Sequence, residues 1–143
     1  MPLVRHLTVD DYEAMLTLWQ RAGLHSIRPE GRDSRSEFEK QFAGGQIAIG
    51  LEEDGRLIGV VLATHDTRKG WINRLAIDPA YRRKGYGKQL VHAAEDALHE
   101  MGLHLIAAFI EDSNAASLRL FEKLGYLAHP HVVYVSKRDS TET

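Results

Sequence analysis

Arg82, Arg83, Lys84 and Lys88, interleaved with Gly85, Tyr86 and Gly87, are the residues of this chain whose types and spacing point most directly to chemistry. An apolar run through Leu75, Ala76 and Ile77 precedes them and reads as a strand stopped by Asp78-Pro79; an amphipathic helical pattern follows them. Strand, cationic turn and helix in that order make an anion site. The first amides of a helix have no carbonyl partner within it and lie at the positive end of its dipole, and glycines let the backbone approach a ligand closely. Hydrogen bonds to charged groups contribute about 1.5–3 kcal/mol each when well made. A pyrophosphate is the natural guest.

Two familiar phosphate loops do not fit. A P-loop requires Ser or Thr after Gly-Lys, and Gln89 follows Gly87-Lys88; a dinucleotide fingerprint requires a third glycine where Leu90 stands. What remains is Arg82-x-x-Gly85-x-Gly87 directly after Leu75-Ala76-Ile77-Asp78-Pro79. Downstream comes Asn114-Ala115-Ala116-Ser117-Leu118-Arg119-Leu120-Phe121-Glu122-Lys123-Leu124-Gly125-Tyr126, an Asn-led helix closed by Leu-Gly-aromatic. Together these resemble the acyl-CoA loop and the second signature of the GNAT acetyltransferase superfamily, over about residues 46 to 137.

The composition bounds the possibilities. A chain of 143 residues fits a single N-acetyltransferase domain spanning residues 1–143. Eighteen basic against 20 acidic residues leave a net charge of −2, so no global field favours nucleic acid or a membrane surface. There is no cysteine, hence no disulfide, thiolate metal site or cysteine nucleophile. With neither a signal peptide nor a long apolar span, a cytoplasmic protein is expected. The eight histidines are scattered without ligand spacing, so no metal is expected.

Further elements follow from pattern. Leu3 to Leu7 reads as a short strand, and Thr8 or Asp10 caps a helix whose apolar face is Tyr12, Met15, Leu16, Trp19 and Ala22, ended by Gly23. Residues 24–33 read as a loop, and Ser34-x-x-Glu37 forms a capping box before a short helix carrying Phe38 and Phe42. Ile47 to Leu51 and Leu57 to Ala63 make a hairpin about Asp54-Gly55, with Gly59 marking a close approach or a bulge, and Trp71 to Asp78 completes an antiparallel meander. The helix after the cationic turn buries Leu90, Ala94, Ala97, Leu98 and Met101, stops at Gly102 and leads to a strand over Leu103 to Ile110, which must run parallel to the one before the turn. After the Asn114 helix, Val132 to Ser136 is expected as a last strand hairpinned near Tyr126, with a frayed polar tail beyond. The fold class is α/β (α+β mixed), a central mixed, mostly antiparallel sheet with helices on both faces, as the GNAT resemblance also implies.

The resemblance implies acetyl transfer from acetyl-CoA, a co-substrate, to a primary amine: a protein N-terminus, a lysine or a small-molecule amine, attacked directly in a ternary complex. Leu75, Ala76 and Ile77 would pair their backbone with the pantetheine arm, the amides of Arg83, Lys84, Gly85, Tyr86, Gly87 and Lys88 would hold the pyrophosphate beside Arg82, and Asn114 would touch the arm while capping its helix. An amide of Ala76 or Ile77 would polarise the carbonyl. The loop bearing His25, Arg28, Glu30 and Arg32 would cover the acceptor, although each of these also suits a solvated surface.

No general acid or base follows from the motifs. The family's tyrosine position holds Phe121, a glutamate position used by some members holds Phe109, and Trp71 and Asn73 stand where others place a glutamate. Tyr134, Tyr126, Glu111, Asp112 and His65 are the stand-in candidates for proton transfer. The alternative is a catalytically weak or inactive acyl-CoA-binding sensor or partner protein. An exposed edge strand leaves room for a homodimer.

Overall fold

The computed structural model describes residues 1–141 and 143. Five strands form one sheet in chain order: β1 (Leu3–His6), β2 (Ile47–Glu53), β3 (Arg56–His65), β4 (Gly70–Ile77) and β5 (Ile106–Ala108). The first three pairings are antiparallel, and β4 with β5 is parallel. Helices α1 (Tyr12–Ala22) and α2 (Arg35–Ala43) lie between β1 and β2, α3 (Tyr86–Glu100) makes the crossover from β4 to β5 that a parallel pair requires, and α4 (Ala115–Lys123) follows β5. The mixed, mostly antiparallel sheet and its helices agree with the expected fold class.

Local chemistry sets most boundaries. Asp54 (φ 53°) and Gly55 (φ 76°) are both left-handed, the requirement of a two-residue hairpin turn whose twist matches its strands. Thr8 caps the single 3-10 turn Val9–Asp11, with a full capping box to Asp11, and α1 then ends at left-handed Gly23. Ser34 caps α2 by accepting from Glu37 N–H at 3.3 Å. Only half of that box forms, because the Glu37 carboxylate turns to the Lys40 ammonium at 3.1 Å.

Packing divides between the two faces. On one face Ile49, Ile58, Val61, Ala63 and Ile72 meet Leu90, Val91, Ala94 and Leu98 of α3 and Phe121 of α4. On the other, Ala48, Val60, Leu62 and Ala76 meet Tyr12, Met15, Leu18 and Trp19 of α1 and Phe38 of α2. From Val60 to Ala63 the residues of β3 alternate between the two cores, as the pleat dictates. The inward set differs in detail from the pattern reading. Leu18 and Val91 are buried, Leu16 and Ala22 only partly so, and Met101, the C-cap of α3, is exposed.

Two expectations at the C-terminal side are corrected. β5 is three residues long rather than spanning Leu103 to Ile110, because left-handed Gly102 turns Leu103 back onto α3, where its N–H bonds Leu98 O at 3.1 Å. No strand forms at Val132 to Ser136; Val132, Val133, Tyr134 and Val135 are 65 to 83 % exposed. A strand is stabilised by its ladder and cross-strand pairs, and this β-rich segment has no ladder, although Tyr134 rests on Phe109 just after β5, ring centroids 5.1 Å apart.

Asp78 ties the end of β4 to α1 and to β3. Its buried carboxylate accepts from Ala80 N–H at 2.9 Å, from Arg21 of α1 at 3.1 Å and from Arg56 of β3 at 3.3 Å. Burial pushes its pKa up, but the Ala80 amide and the two guanidinium groups outweigh that and hold it below the ordinary carboxylate value. A depressed pKa contributes stability that is fully present above the unfolded value of about 3.9 and is lost as pH falls through the folded value. Asp78→Asn should therefore cost about 1–3 kcal/mol at pH 7 and progressively less below about pH 4, measured by urea unfolding at several pH values. An equal penalty at pH 7 and pH 3 would refute that linkage.

Candidate functional site

The pairing of β4 with β5 covers Gly70 with Ile106, Trp71 with Ala107 and Ile72 with Ala108, then ends. From Asn73 to Ile77, β4 runs against β3 alone. The backbone edge that had faced β5 is left without a strand partner along the stretch that includes Leu75, Ala76 and Ile77. A cavity of about 760 Å³ occupies the gap. Its walls include Leu75 on β4, Phe109 and Glu111 after β5, Asn114 and Phe121 of α4, and Arg32 of the loop before α2.

A bulge re-aims β4 at this point. Leu62 pairs with Asn73 and Val60 with Ala76, so Arg74 and Leu75 together oppose Val61. The extra residue shifts parity: Ile72 packs in the α3 core, yet Ala76, four residues on, packs in the α1 core. Arg74 adopts φ 50°, a left-handed conformation that costs a non-glycine residue energy unless its surroundings hold it. What holds it is Asp33, whose two carboxylate oxygens accept from the two terminal nitrogens of Arg74. The guanidinium also lies 5.4 Å above the Trp19 ring. Asp33 is buried, accepts from Arg28 N–H at 2.6 Å, and its carbonyl accepts from Tyr12 Oη–H at 2.5 Å. One carboxylate thus joins the loop before α2 to the bulged strand.

The cationic turn sits where β4 ends. Arg83 (φ 65°) and Gly85 (φ 79°) are left-handed, and Gly85 caps α3. The first bond inside α3 runs from Gln89 N–H to Gly85 O, so the amides of Tyr86, Gly87 and Lys88 have no carbonyl within the helix. Nothing would obstruct a Cβ at Gly85, and its dihedral alone calls for glycine. Gly87 differs. A Cβ there would lie 3.1 Å from Leu120 Cδ2 and 4.0 Å from Leu75 Cδ2, so this glycine lets α3, α4 and the end of β4 converge. Arg82 reaches back to Ala22 O at 3.4 Å, and the Lys84 ammonium lies 5.6 Å over Tyr81. Asn114 caps α4 by accepting from Ser117 N–H at 3.2 Å while it lines the cavity.

The proton-transfer candidates separate clearly. Tyr126 donates to the Glu95 carboxylate of α3 at 2.6 Å, and burial together with that carboxylate pushes its pKa well up. Tyr134 is exposed against Phe109, and His65 takes the Thr67 N–H on Nδ1 at 3.1 Å in the turn after β3. Asp112 is exposed and does not line the cavity; of the five, Glu111 does. Phe109 stacks on Trp71 with centroids 4.8 Å apart, and Asn73 donates to Thr64 Oγ1 at 3.2 Å. Of the loop residues, His25 and Arg32 line the cavity, and Arg28 and Glu30 do not. Asp33 and Arg74 escaped the sequence reading. The available signal was an arginine in the middle of an otherwise apolar strand.

β4 is thus released from its parallel neighbour and ends at a glycine-bearing cationic turn, and comparison with known proteins supplies the family. The sequence model of the Acetyltransferase (GNAT) family matches residues 7–126, and the chain belongs to that family. An acetyltransferase of Pectobacterium atrosepticum is 28% identical over 124 residues, 86% of each chain. Among solved structures, the PaiA N-acetyltransferase of Thermoplasma acidophilum in complex with coenzyme A superimposes with a TM-score of 0.80 at 19% identity, covering 90% of this chain and 91% of that one. The AAC(6')-Iy enzyme, in complex with a bisubstrate analogue of coenzyme A and acetylneamine, gives 0.79 at 17% identity, covering 96% and 99%.

The Asp33–Arg74 pair makes a differential prediction. Asp33→Ala strands the Arg74 charge in a strained backbone and should cost about 3–5 kcal/mol. Arg74→Ala and Arg74→Gly both leave the buried Asp33 carboxylate without that partner, but only glycine relieves the dihedral, so the glycine variant should be less destabilised than the alanine one by roughly 1 kcal/mol. Denaturant midpoints of these two Arg74 variants decide, and equal losses would mean that the left-handed residue is not under strain.

Proposed function

We propose that residues 1–143 act as one N-acetyltransferase domain that moves an acetyl group from acetyl-CoA to a primary amine by direct attack in a ternary complex. The observation carrying this reading is the unpaired edge of β4 beyond Ile72, which ends on the free first-turn amides of α3. An edge with idle amides and carbonyls suits a ligand that is itself an extended chain of amides ending in a pyrophosphate.

In this reading the backbone of Leu75, Ala76 and Ile77 pairs with the pantetheine arm. The amides from Arg83 to Lys88 bind the pyrophosphate, with charge added by Arg82, Arg83, Lys84 and Lys88, and Asn114 touches the arm from the α4 side. Bound there, the thioester supplies an activated acetyl group. An amide of Ala76 or Ile77 donates to the acetyl oxygen, where negative charge develops. Phe121 keeps the reacting sulfur dry and offers it no proton. The chain's main contribution is to hold amine and carbonyl in contact, an effect worth about 7–11 kcal/mol. The bisubstrate analogue bound by AAC(6')-Iy supports simultaneous occupation of such a site by donor and acceptor. A cytoplasmic setting suits a chain without cysteine.

Binding at the turn is tested by Gly87→Glu with Gly87→Gln as the bulk control, since both must push Leu120 aside. The glutamate should weaken acetyl-CoA binding about 100-fold or more and the glutamine markedly less, by calorimetry on variants with unchanged circular dichroism. Equal affinities for the two would remove the anion site.

Release of free CoA in the presence of amines, followed from about pH 6 to 9.5, tests the reaction. The rate should track the ionisation of the amine, near 7.7–8.0 for an α-amino group and near 10.4 for a lysine, roughly. Phe121→Tyr, by supplying a donor toward the sulfur, should raise kcat about tenfold. A pH profile set by the enzyme regardless of the amine would contradict catalysis by positioning.

A further inference from the structure

Along β4 the main-chain N–H and C=O of successive residues point alternately to its two sides, and a hydrogen bond near each end fixes the count. Gly70 N–H donates to Leu105 O at 2.9 Å, just ahead of β5. Counting on from it, Ile72 faces β5 and Asn73 faces β3, opposite Leu62. At the far end Asp78 N–H donates to Ile58 O of β3 at 2.8 Å. Counting back, Ala76 faces β3, opposite Val60, while Leu75 and Ile77 face the gap. Unbroken alternation from Gly70 would have turned Arg74 and Ala76 to the gap instead. The extra residue of the bulge makes the exchange. Val61, opposite the bulge, stands between Val60 and Leu62 and turns its own groups to Ile49 of β2, so it offers Leu75 no bond.

What holds this orientation lies outside the strand. Arg74 carries the left-handed dihedral of the bulge, and both its terminal nitrogens donate to Asp33, through Nη2 at 3.1 Å. Asp33 is itself buried and fixed by the Arg28 N–H on its carboxylate and the Tyr12 hydroxyl on its carbonyl. The cationic turn has a separate fastening, from Asp78 to Arg21 and Arg56. The two ends of the exposed edge are therefore held by different ion pairs. An extended ligand made of amides pairs with such an edge as a further strand would, through the N–H and C=O of alternate residues, and Leu75 and Ile77 are alternate residues.

We propose that Arg74 and Asp33 are positioning residues for the donor: their pair holds the bulge that presents the N–H and C=O of Leu75 and Ile77 to the pantetheine arm, while the anion site at the turn is built without them. The Ala76 amide, turned toward Val60, is withdrawn from the acetyl oxygen. A ligand anchored at the turn after Ile77 brings its thioester end back along β4 toward Leu75. This inference rests on the acetyl-transfer reading above and adds to it the residues that aim the strand edge.

Two ligands separate the arm from the anion site: CoA, and 3'-phospho-ADP, which keeps the nucleotide and pyrophosphate but lacks the arm. By calorimetry on variants with unchanged circular dichroism, CoA should bind about tenfold or more weakly in Arg74→Ala and Asp33→Asn, with 3'-phospho-ADP held within about twofold. Arg74→Gly, which can keep the left-handed dihedral without the pair, should fall between. Equal losses for the two ligands would make the pair merely structural and overturn the proposal. So would unchanged CoA affinity. The unaltered protein supplies a second test, independent of whether the variants fold. Its Ala76 amide should exchange slowly with deuterium in the absence of ligand; those of Leu75 and Ile77 should exchange fast and become protected with CoA but not with 3'-phospho-ADP. Slow exchange at Leu75 and Ile77 without CoA, or no protection there with it, overturns the proposal. A protein that binds both ligands equally takes the arm off β4 and overturns it too, with the anion site intact, whereas one that binds neither removes the acetyl-transfer reading itself.

Discussion

The ladder between β4 and β5 holds for three residue pairs and stops, and the arrangement of the site depends on that stop. A buried main-chain amide or carbonyl without a partner costs about 1–3 kcal/mol, so two strands do not part without a compensating partner. Here the opening has two supports. The bulge at Arg74 and Leu75 turns β4 away from its former course, and α4 enters on the far side with Asn114 and Phe121 facing the gap. The result is a crevice at the carboxyl end of a parallel strand, beside a helix N-terminus.

The bulge is itself held by tertiary structure. Asp33 fixes Arg74 from a loop 41 residues earlier, and the Tyr12 hydroxyl anchors the carbonyl of the same aspartate. A buried ion pair is weak evidence for stability, because desolvation offsets much of its attraction. Its consequence here is geometric. The loop before α2 and the bulged strand cannot shift independently while one carboxylate holds both. Gly87 plays the matching part at the other end of the crevice, where the absence of a Cβ lets α3, α4 and Leu75 close on one another.

Charge is distributed unevenly over a nearly neutral chain. A net charge of −2 conceals a cationic turn after β4 and arginines on the loop before α2, of which Arg32 lines the cavity. The buried carboxylates Asp33 and Asp78 are both matched by guanidinium groups, so they fasten elements without adding negative field to the crevice.

Features decided by a few adjacent residues were legible in the sequence. The Asp54-Gly55 turn, the stop at Gly23, the caps at Ser34 and Asn114 and the glycine opening of α3 each follow from dihedral preference or one short hydrogen bond, and local chemistry determines them. The mixed sheet followed as well, because strand, helix and strand of that length must cross over in parallel. Tertiary structure alone decided which strand-prone segments become strands, where the β4–β5 ladder ends, and that Arg74 and Asp33 meet. Val132 to Val135 carries as strong a β pattern as β3 and yet has no ladder, because pairing depends on a partner edge supplied by distant chain. The bulge likewise reverses the parity of β4 between Ile72 and Ala76, a shift that no period-2 pattern can reveal, since it arises from contacts with Val61 and Asp33 rather than from the strand's own residues.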